Sequence, residues 1–273
     1  MSFDVPALGE PGPIELLSPK AVRKTPPNSH LYMTEQLHNA VEGALAVCDE
    51  LGVMTLEGPV GTGKSAACDV IQHAARLYWD VIPTLTRIPP GSSAKTLVSS
   101  IATSMGVGVD GLTKPQIEDR LHIVLAGPVT RLLIFDEAQE YDFYALEAIR
   151  YLLEGDNANC AAIFCGAGVE AVLGEYAALD DRIDERVYLE PLTGPALHSA
   201  LRGAYPILAG SDAAVLDRIN EEYCHGSWRR WTRIVRKIHA ASRGGAPDLS
   251  LAGVQRIVRR VRRRPAPASG RAA

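Results

Sequence analysis

Gly58-Pro59-Val60-Gly61-Thr62-Gly63-Lys64-Ser65 satisfies the pattern GxxxxGK[ST] at every constrained position. Before it, Val53-Met54-Thr55-Leu56 reads as a short buried strand, and after it helical spacing runs from Gly63 to about Tyr78. A glycine-rich turn between a strand and a helix is the context in which this pattern cradles a triphosphate. The glycines let main-chain N–H groups close around phosphate oxygens. Lys64 reaches the β- and γ-phosphates, and the Ser65 hydroxyl suits Mg²⁺. The helix that follows aims its positive end at the same anion, with Ala66 in its first turn.

Downstream, Leu132-Leu133-Ile134-Phe135-Asp136-Glu137 is an apolar strand ending in two acids, with Asp136 seventy-two residues after Lys64. That separation leaves room for one intervening strand. Asp136 can then hold the Mg²⁺ water shell beside the cradle, and Glu137 can orient and deprotonate an attacking water. The strand ahead of Asp136 reads from Arg131, and further strands read at 81–87, 161–165 and 187–189, alternating with helices at 94–105, from Thr113 and around Leu146–Leu153. Such alternation predicts an α/β fold of the P-loop NTPase type, a parallel sheet sandwiched by helices. After Pro191 the pattern is purely helical, near 195–204, 212–223, 228–242 and 250–262. The expected organisation is therefore an extended Pro-rich arm at 1–29, a nucleotide-binding domain at 30–192, a small all-helical lid at 193–245, and a basic helix and tail at 246–273.

The 273 residues carry 47% hydrophobic and 22% charged side chains, the make-up of an ordinary globular protein. No apolar run approaches the roughly 18 residues needed to span a bilayer. The start, MSFDVPALGEPGP, lacks the basic and apolar regions of a secretory signal. Five cysteines form no CxxC pair, which suits reduced thiols in a cytoplasmic protein. Scattered histidines predict no metal held by protein ligands alone. The net charge of −4 conceals an asymmetry: from Gly226 onward there are thirteen Lys or Arg against one acid, whereas residues 1–225 carry fifteen against thirty-one. A basic element on an acidic body fits nucleic acid or an acidic partner, or is simply a solvated helix.

Taken in order, Gly58–Ser65, Asp136-Glu137-Ala138-Gln139, Arg182-Ile-Asp-Glu-Arg186 ahead of Pro191-Leu192, and Gly226-Ser-Trp-Arg229-Arg230 resemble the AAA+ ATPases. Within them, residues 30–242 most resemble the bacterial transposition regulators of the TnsC, TniB and MuB kind. The resemblance implies ATP and Mg²⁺ as cofactors, Asp136 and Glu137 as the Walker B pair, and Arg182, with Arg186 second, as an arginine finger for a neighbouring subunit's γ-phosphate. It implies Arg229, with Arg230 adjacent, as the sensor-2 arginine of the lid. One departure stands out. After the strand ending at Cys165, many relatives carry a polar sensor-1 residue, and this chain has Gly166-Ala167-Gly168, which points to slow, partner-stimulated hydrolysis.

On a helix from Trp228, the side chains of Trp231, Ile234, Val235 and Ile238 share one face, and Arg229, Arg230, Arg233, Arg236 and Lys237 take the opposite arc. The tryptophans are read as lid core rather than as platforms for bases. Val254, Ile257, Val258 and Val261 form a second stripe, set among Arg256, Arg259, Arg260, Arg262, Arg263 and Arg264. The resemblance implies DNA contacts in loops after the second strand and near the following helices, where this chain has Arg87, Lys95, Thr96 and Lys114 as candidates. The function implied is an ATP-dependent regulator of DNA transposition. It would form a homo-oligomer, a helical filament or ring, on duplex DNA without sequence preference, mark a target site, and recruit a transposase and a target-selector protein. Hydrolysis would drive disassembly, and no membrane is involved. The competing reading is an AAA+ ATPase of the secretion or loader type that acts on a protein partner and ignores DNA.

Overall fold

A computed structural model describes residues 13–14, 29–155, 157–242 and 248–262, with side chains given as far as Ile257 in the last stretch. Most of the Pro-rich arm and the basic tail from Arg263 lie outside the described residues, as do the side chains of Val258 to Arg262. Two compact units divide the chain, one of residues 35–190 and one of residues 13–14 and 29–34 with 191–262.

The first unit is built on a sheet of five parallel strands. In chain order the elements are α1 (Glu35–Glu50), β3 (Val53–Glu57), α2 (Lys64–Tyr78), β4 (Ile82–Thr86), α3 (Ala94–Ser104), α4 (Lys114–Leu125), β5 (Arg131–Asp136), α5 (Phe143–Leu153), β6 (Cys160–Gly166), α6 (Val169–Gly174), α7 (Ala177–Asp180) and β7 (Ile183–Tyr188). The labels β1 (Pro13–Ile14) and β2 (Leu31–Tyr32) are kept for an antiparallel pair in the other unit. Strand order is β4-β5-β6-β3-β7, so β5, β6 and β3 lie inside and are covered on both faces. Their near-continuous apolar sequences follow from that double coverage. Phe135 and Phe164 stack at 5.1 Å between ring centroids in the core formed with Leu97, Ile101, Leu121 and Ile149. Helices α1 and α2 pack on one another.

Local chemistry starts the helices where the sequence suggests. Ser93 Oγ accepts the Thr96 N–H at 3.2 Å to cap α3, Gln116 Oε1 accepts the Thr113 N–H at 2.9 Å ahead of α4, and Asp142 caps α5.

The second unit holds α8 (Gly194–Ala204), α9 (Ala213–Ile219), α10 (Trp228–Ala241) and α11 (Leu251–Arg262), with a π-turn at Asn220–Cys224. Its core gathers Leu197, Leu201, Leu216, Ile219, Ile234, Val235 and Ile238 around Trp231. Trp231 is fully buried and donates through Nε1 to Asn220 Oδ1 at 3.1 Å; the same oxygen accepts the Gly226 N–H at 2.8 Å. Gly226 has φ of 72°, and a Cβ there would lie 2.3 Å from Pro191 Cβ, so no other residue fits. Residues 29–34 belong to this second compact unit. His30 N–H donates to Ala204 O at 2.9 Å, and Tyr32 packs against Gly203, which ties this segment to α8.

Trp231→Ala should lower the stability of the helical unit by about 3–5 kcal/mol, the range for emptying a large aromatic site. Chemical denaturation followed by far-UV circular dichroism measures it, and a loss below about 1 kcal/mol would contradict the core assignment.

Candidate nucleotide site

Parallel register brings the candidate residues to one end of the sheet. Asp136 of β5 pairs with Cys165 of β6, and Glu57 of β3 pairs with Gly166. The turn after β3 therefore leaves the sheet beside the carboxyl end of β5 with β6 between them. Crevices at the carboxyl ends of parallel strands, where the strand order reverses, are where such sheets bind ligands. Here the reversal falls at β3, whose neighbours are β6 and β7.

Residues 58–63 hold three glycines in the left-handed region, with φ of 149° at Gly58, 93° at Gly61 and 116° at Gly63. At Gly58 a Cβ would come within 2.4 Å of the Leu189 carbonyl oxygen, so the turn can pass only without a side chain. Thr62 Oγ1 donates to Pro59 O at 2.9 Å and braces the loop from inside. Lys64 opens α2 and donates through Nζ to Gly58 O at 2.5 Å and Pro59 O at 3.1 Å, so its ammonium lies within the turn. Pro59, Val60 and Ser65 are exposed, and Ala66 is half-buried.

Asp136, only 5% exposed, is the acid at the end of β5. Its Oδ1 accepts the Glu137 N–H at 2.9 Å, and its Oδ2 accepts from Arg87 Nη2. Arg87 arrives by register: Thr86 of β4 is paired with Phe135, so the next residues on each strand face one another. Asp69, one helical turn beyond Ser65, completes the acidic corner. Burial and then the Asp136 charge push its carboxyl up from the usual range, and Arg87 partly offsets both. The Cys68 thiol is likewise held well above its ordinary range, first by its hydrogen bond to Cys165 and then by burial, so it stays neutral beneath the site. Glu137 is exposed and takes φ of 57°, an uncommon conformation for a residue with a side chain. Gln139 Nε2 donates to its Oε2 at 2.8 Å.

The oxygen donors suit a hard cation. A carboxylate at Asp136 and a hydroxyl at Ser65 are what Mg²⁺ takes when most of its shell is water and phosphate. These residues fit the implied metal, and the lysine-bearing glycine turn fits the phosphates. Bound Mg²⁺ would neutralise charge on the triphosphate.

The remaining candidates fall elsewhere. Arg182 Nη2 donates to Glu154 Oε1 at 3.0 Å. Arg186, on β7, donates to Asp180 Oδ1 at 2.8 Å and lies 3.9 Å from Glu170. Arg229 and Arg230 are exposed in the first turn of α10, in the other unit. Lys95 and Thr96 are exposed in the first turn of α3. Two of the DNA candidates have other engagements. Arg87 is drawn onto Asp136, and Lys114 is tied to the buried Glu118 one helical turn along, because a buried acid needs a counter-charge. Sequence reasoning missed Asp69 and Gln139. The four-residue spacing of Asp69 from Ser65 was a readable signal, and the reach of Gln139 was not.

Residues 48–171 match the AAA domain family. No curated protein sequence matches the chain. Among solved structures, the chain is similar to the ORC2 protein of Aeropyrum pernix in ADPNP and ADP complexes, with TM-score 0.67, 17% identity, and 86% of this chain covering 69% of that one. It is also similar to Drosophila ORC bound to DNA, with TM-score 0.60, 15% identity and 85% against 67% coverage. For the Thermotoga maritima RuvB Holliday junction branch migration motor the TM-score is 0.57, with 14% identity and 82% against 68% coverage. The fold and site thus define a P-loop protein of the AAA+ fold. More particularly, the AAA match spans the glycine turn, Asp136-Glu137 and the end of β6, all of the strand-end site just described.

Two outcomes test this site. Gly58→Ala should weaken nucleotide binding by more than about tenfold, or about 1.4 kcal/mol, by fluorescent-nucleotide titration; unchanged affinity would contradict the steric argument. Arg87→Ala should lower the Mg²⁺ concentration needed for half-maximal nucleotide binding by about two- to fivefold, the worth of a half-exposed ion pair. A rise instead would mean that Arg87 does not compete for Asp136.

Proposed function

We propose that this chain is an ATPase that works on DNA as an oligomer, and that its task is regulating DNA transposition. The observation that supports the ATPase reading is that the Lys64 turn after β3 and the Asp136-Glu137 end of β5 lie at the same end of the sheet, one strand apart. In that role Lys64 holds the β- and γ-phosphates, Ser65 and Asp136 hold the metal and its water, and Glu137 orients and deprotonates the attacking water. Arg182 reaches a neighbouring subunit's γ-phosphate, with Arg186 as the alternative finger, because a guanidinium stays charged and forks onto phosphate. Arg229, on α10, is the residue that the motif order assigns as the lid's sensor.

Support for DNA comes from the surface of α10. Arg229, Arg230, Arg233 and Arg236 are exposed along it, and among the described residues they form no ion pair. Burial and the neighbouring Arg233 push the Lys237 ammonium down from its usual range, the mark of a crowded basic face. Cations held close without acids suit a phosphate backbone. Solved neighbours include an origin recognition complex bound to DNA and a branch migration motor. The motif order Asp136 to Gln139, Arg182 to Arg186 and Gly226 to Arg230 supports the finer reading, in which ATP assembles subunits on duplex DNA and a transposase partner triggers hydrolysis. Lys95 and Thr96 remain the DNA contacts proposed within the α/β unit. A reading with a protein partner alone draws on Phe143 and Tyr144, 57% and 71% exposed. Partner-stimulated turnover accommodates that surface as well.

Sedimentation with duplex DNA tests the proposal. Wild-type protein should pellet with DNA only with ATP, Lys64→Ala should stay in solution, and Glu137→Gln should persist in the pellet. Replacing Arg230, Arg233 and Arg236 by Gln should lower the slope of log affinity against log salt by about 3. ATP-dependent self-association indifferent to DNA and salt would overturn the DNA reading.

A further inference from the structure

We propose that Gln139 is a positioning residue for hydrolysis: its carboxamide, seated over the bare Cα of Gly166, fixes the direction of the Glu137 carboxylate. The proposal rests on the reading that Glu137 activates water for ATP hydrolysis. Three independent features of the structure meet at this side chain.

The first is the tether itself. Glu137 follows Asp136 in a left-handed conformation that turns its side chain out of the strand, and it is exposed. An exposed glutamate rotates among staggered rotamers unless something holds it. Gln139 holds it, with Nε2 donating to Glu137 Oε2 at 2.8 Å. The backbone between them is a 3₁₀ turn closed by Glu140 N–H to Glu137 O at 3.0 Å and Tyr141 N–H to Ala138 O at 3.1 Å.

The second is the other end of the carboxamide. Gln139 Oε1 is buried and, among the described residues, has no hydrogen-bond partner. An unpaired buried carbonyl oxygen is unfavourable, so such a placement calls for an explanation other than stability. A glutamine on this turn could point into water and satisfy both ends.

The third is the seat. A Cβ on Gly166 would lie 2.0 Å from Gln139 Oε1 and 3.1 Å from its Cδ, so the space the carboxamide occupies exists only because residue 166 has no side chain. Gly166 ends β6, in register with Glu57 just ahead of the phosphate turn, and its neighbour Cys165 faces Asp136. The wedge is therefore anchored to the same strand ends that carry the site. Gly166-Ala167-Gly168 supplies no polar side chain at that corner. The polar group present there comes across from the next turn, as Gln139.

The test uses the full chain. Single-turnover ATP hydrolysis and, separately, equilibrium nucleotide affinity are measured for wild type, Gln139→Ala, Gln139→Asn, Gly166→Ser and the Gln139→Ala, Gly166→Ser double variant, with Glu137→Gln as reference. Gln139→Ala should slow hydrolysis by about tenfold to a hundredfold, the scale of a mispositioned catalytic group, while affinity changes by less than about twofold. Gln139→Asn, one methylene shorter, should lose as much. Gly166→Ser should slow hydrolysis by evicting the carboxamide, and adding it to Gln139→Ala should cost nothing more, since the two act through one contact. Hydrolysis by Gln139→Ala within about twofold of wild type while Glu137→Gln is inactive would overturn the role of Gln139 and leave the ATPase reading standing. Losses that add in the double variant would likewise overturn it. Glu137→Gln hydrolysing like wild type would instead overturn the underlying reading.

Discussion

The parallel pairing of β5, β6 and β3 is the constraint on which the rest of the site depends. It sets Asp136 against Cys165 and Glu57 against Gly166, so three strand ends finish at one level. A slip of one residue would turn every side chain of a strand to the opposite face. Asp136 would then leave the crevice, and Phe135 would leave the core it shares with Phe164. Because β5 and β6 are buried almost throughout, such a slip would also break packing on both faces. The geometry of the acid is thus secured by hydrophobic burial several residues away from it.

With the strand ends in line, the turns above them can take conformations that would be costly alone. Gly58, Gly61 and Gly63 accept positive φ at no steric cost, whereas Glu137 carries a side chain into the same region. Conformations of that kind cost on the order of 1–3 kcal/mol and persist where surrounding structure dictates them. At Glu137 the dictating contacts are the Asp136 carboxylate on its N–H and the Gln139 carboxamide on its side chain. Those restraints belong to β5 and to the adjoining turn, so rigid elements carry the local strain.

How much of this could be read from the chain depended on whether the signal was local. The turn at 58–65 and the strand ending at Asp136-Glu137 were legible because the chemistry lies in consecutive residues. The interior strands were legible as apolar runs. Strand β7 was read too short, as 187–189 rather than Ile183–Tyr188. It sits at the sheet edge and alternates half-buried with exposed residues, so Asp184, Glu185 and Arg186 offer no apolar run to mark the strand. The pairing of Arg87 with Asp136 was illegible for a different reason. It follows from β4 lying beside β5, and strand order is not written in either strand. The tie of residues 30–34 to α8 is not written locally either, because their partner Ala204 lies far along the chain.

One consequence runs through the α/β unit's cations. Lys64 is bonded to loop carbonyls, Arg87 to Asp136, Arg182 to Glu154 and Arg186 to Asp180. Any ligand that engages one of them must exchange an existing partner, so only the difference between the two contacts drives a change of state. For exposed pairs that difference starts from a small base, about 1 kcal/mol or less. A triphosphate, with its charge concentrated in one place, can outbid several such contacts together where a single carboxylate could not. Arg87 is the most consequential of these exchanges, because its release also frees Asp136. A metal ion held at Asp136 would have to displace this guanidinium from one buried carboxylate, which would tie its binding to the position of Arg87 just beyond β4.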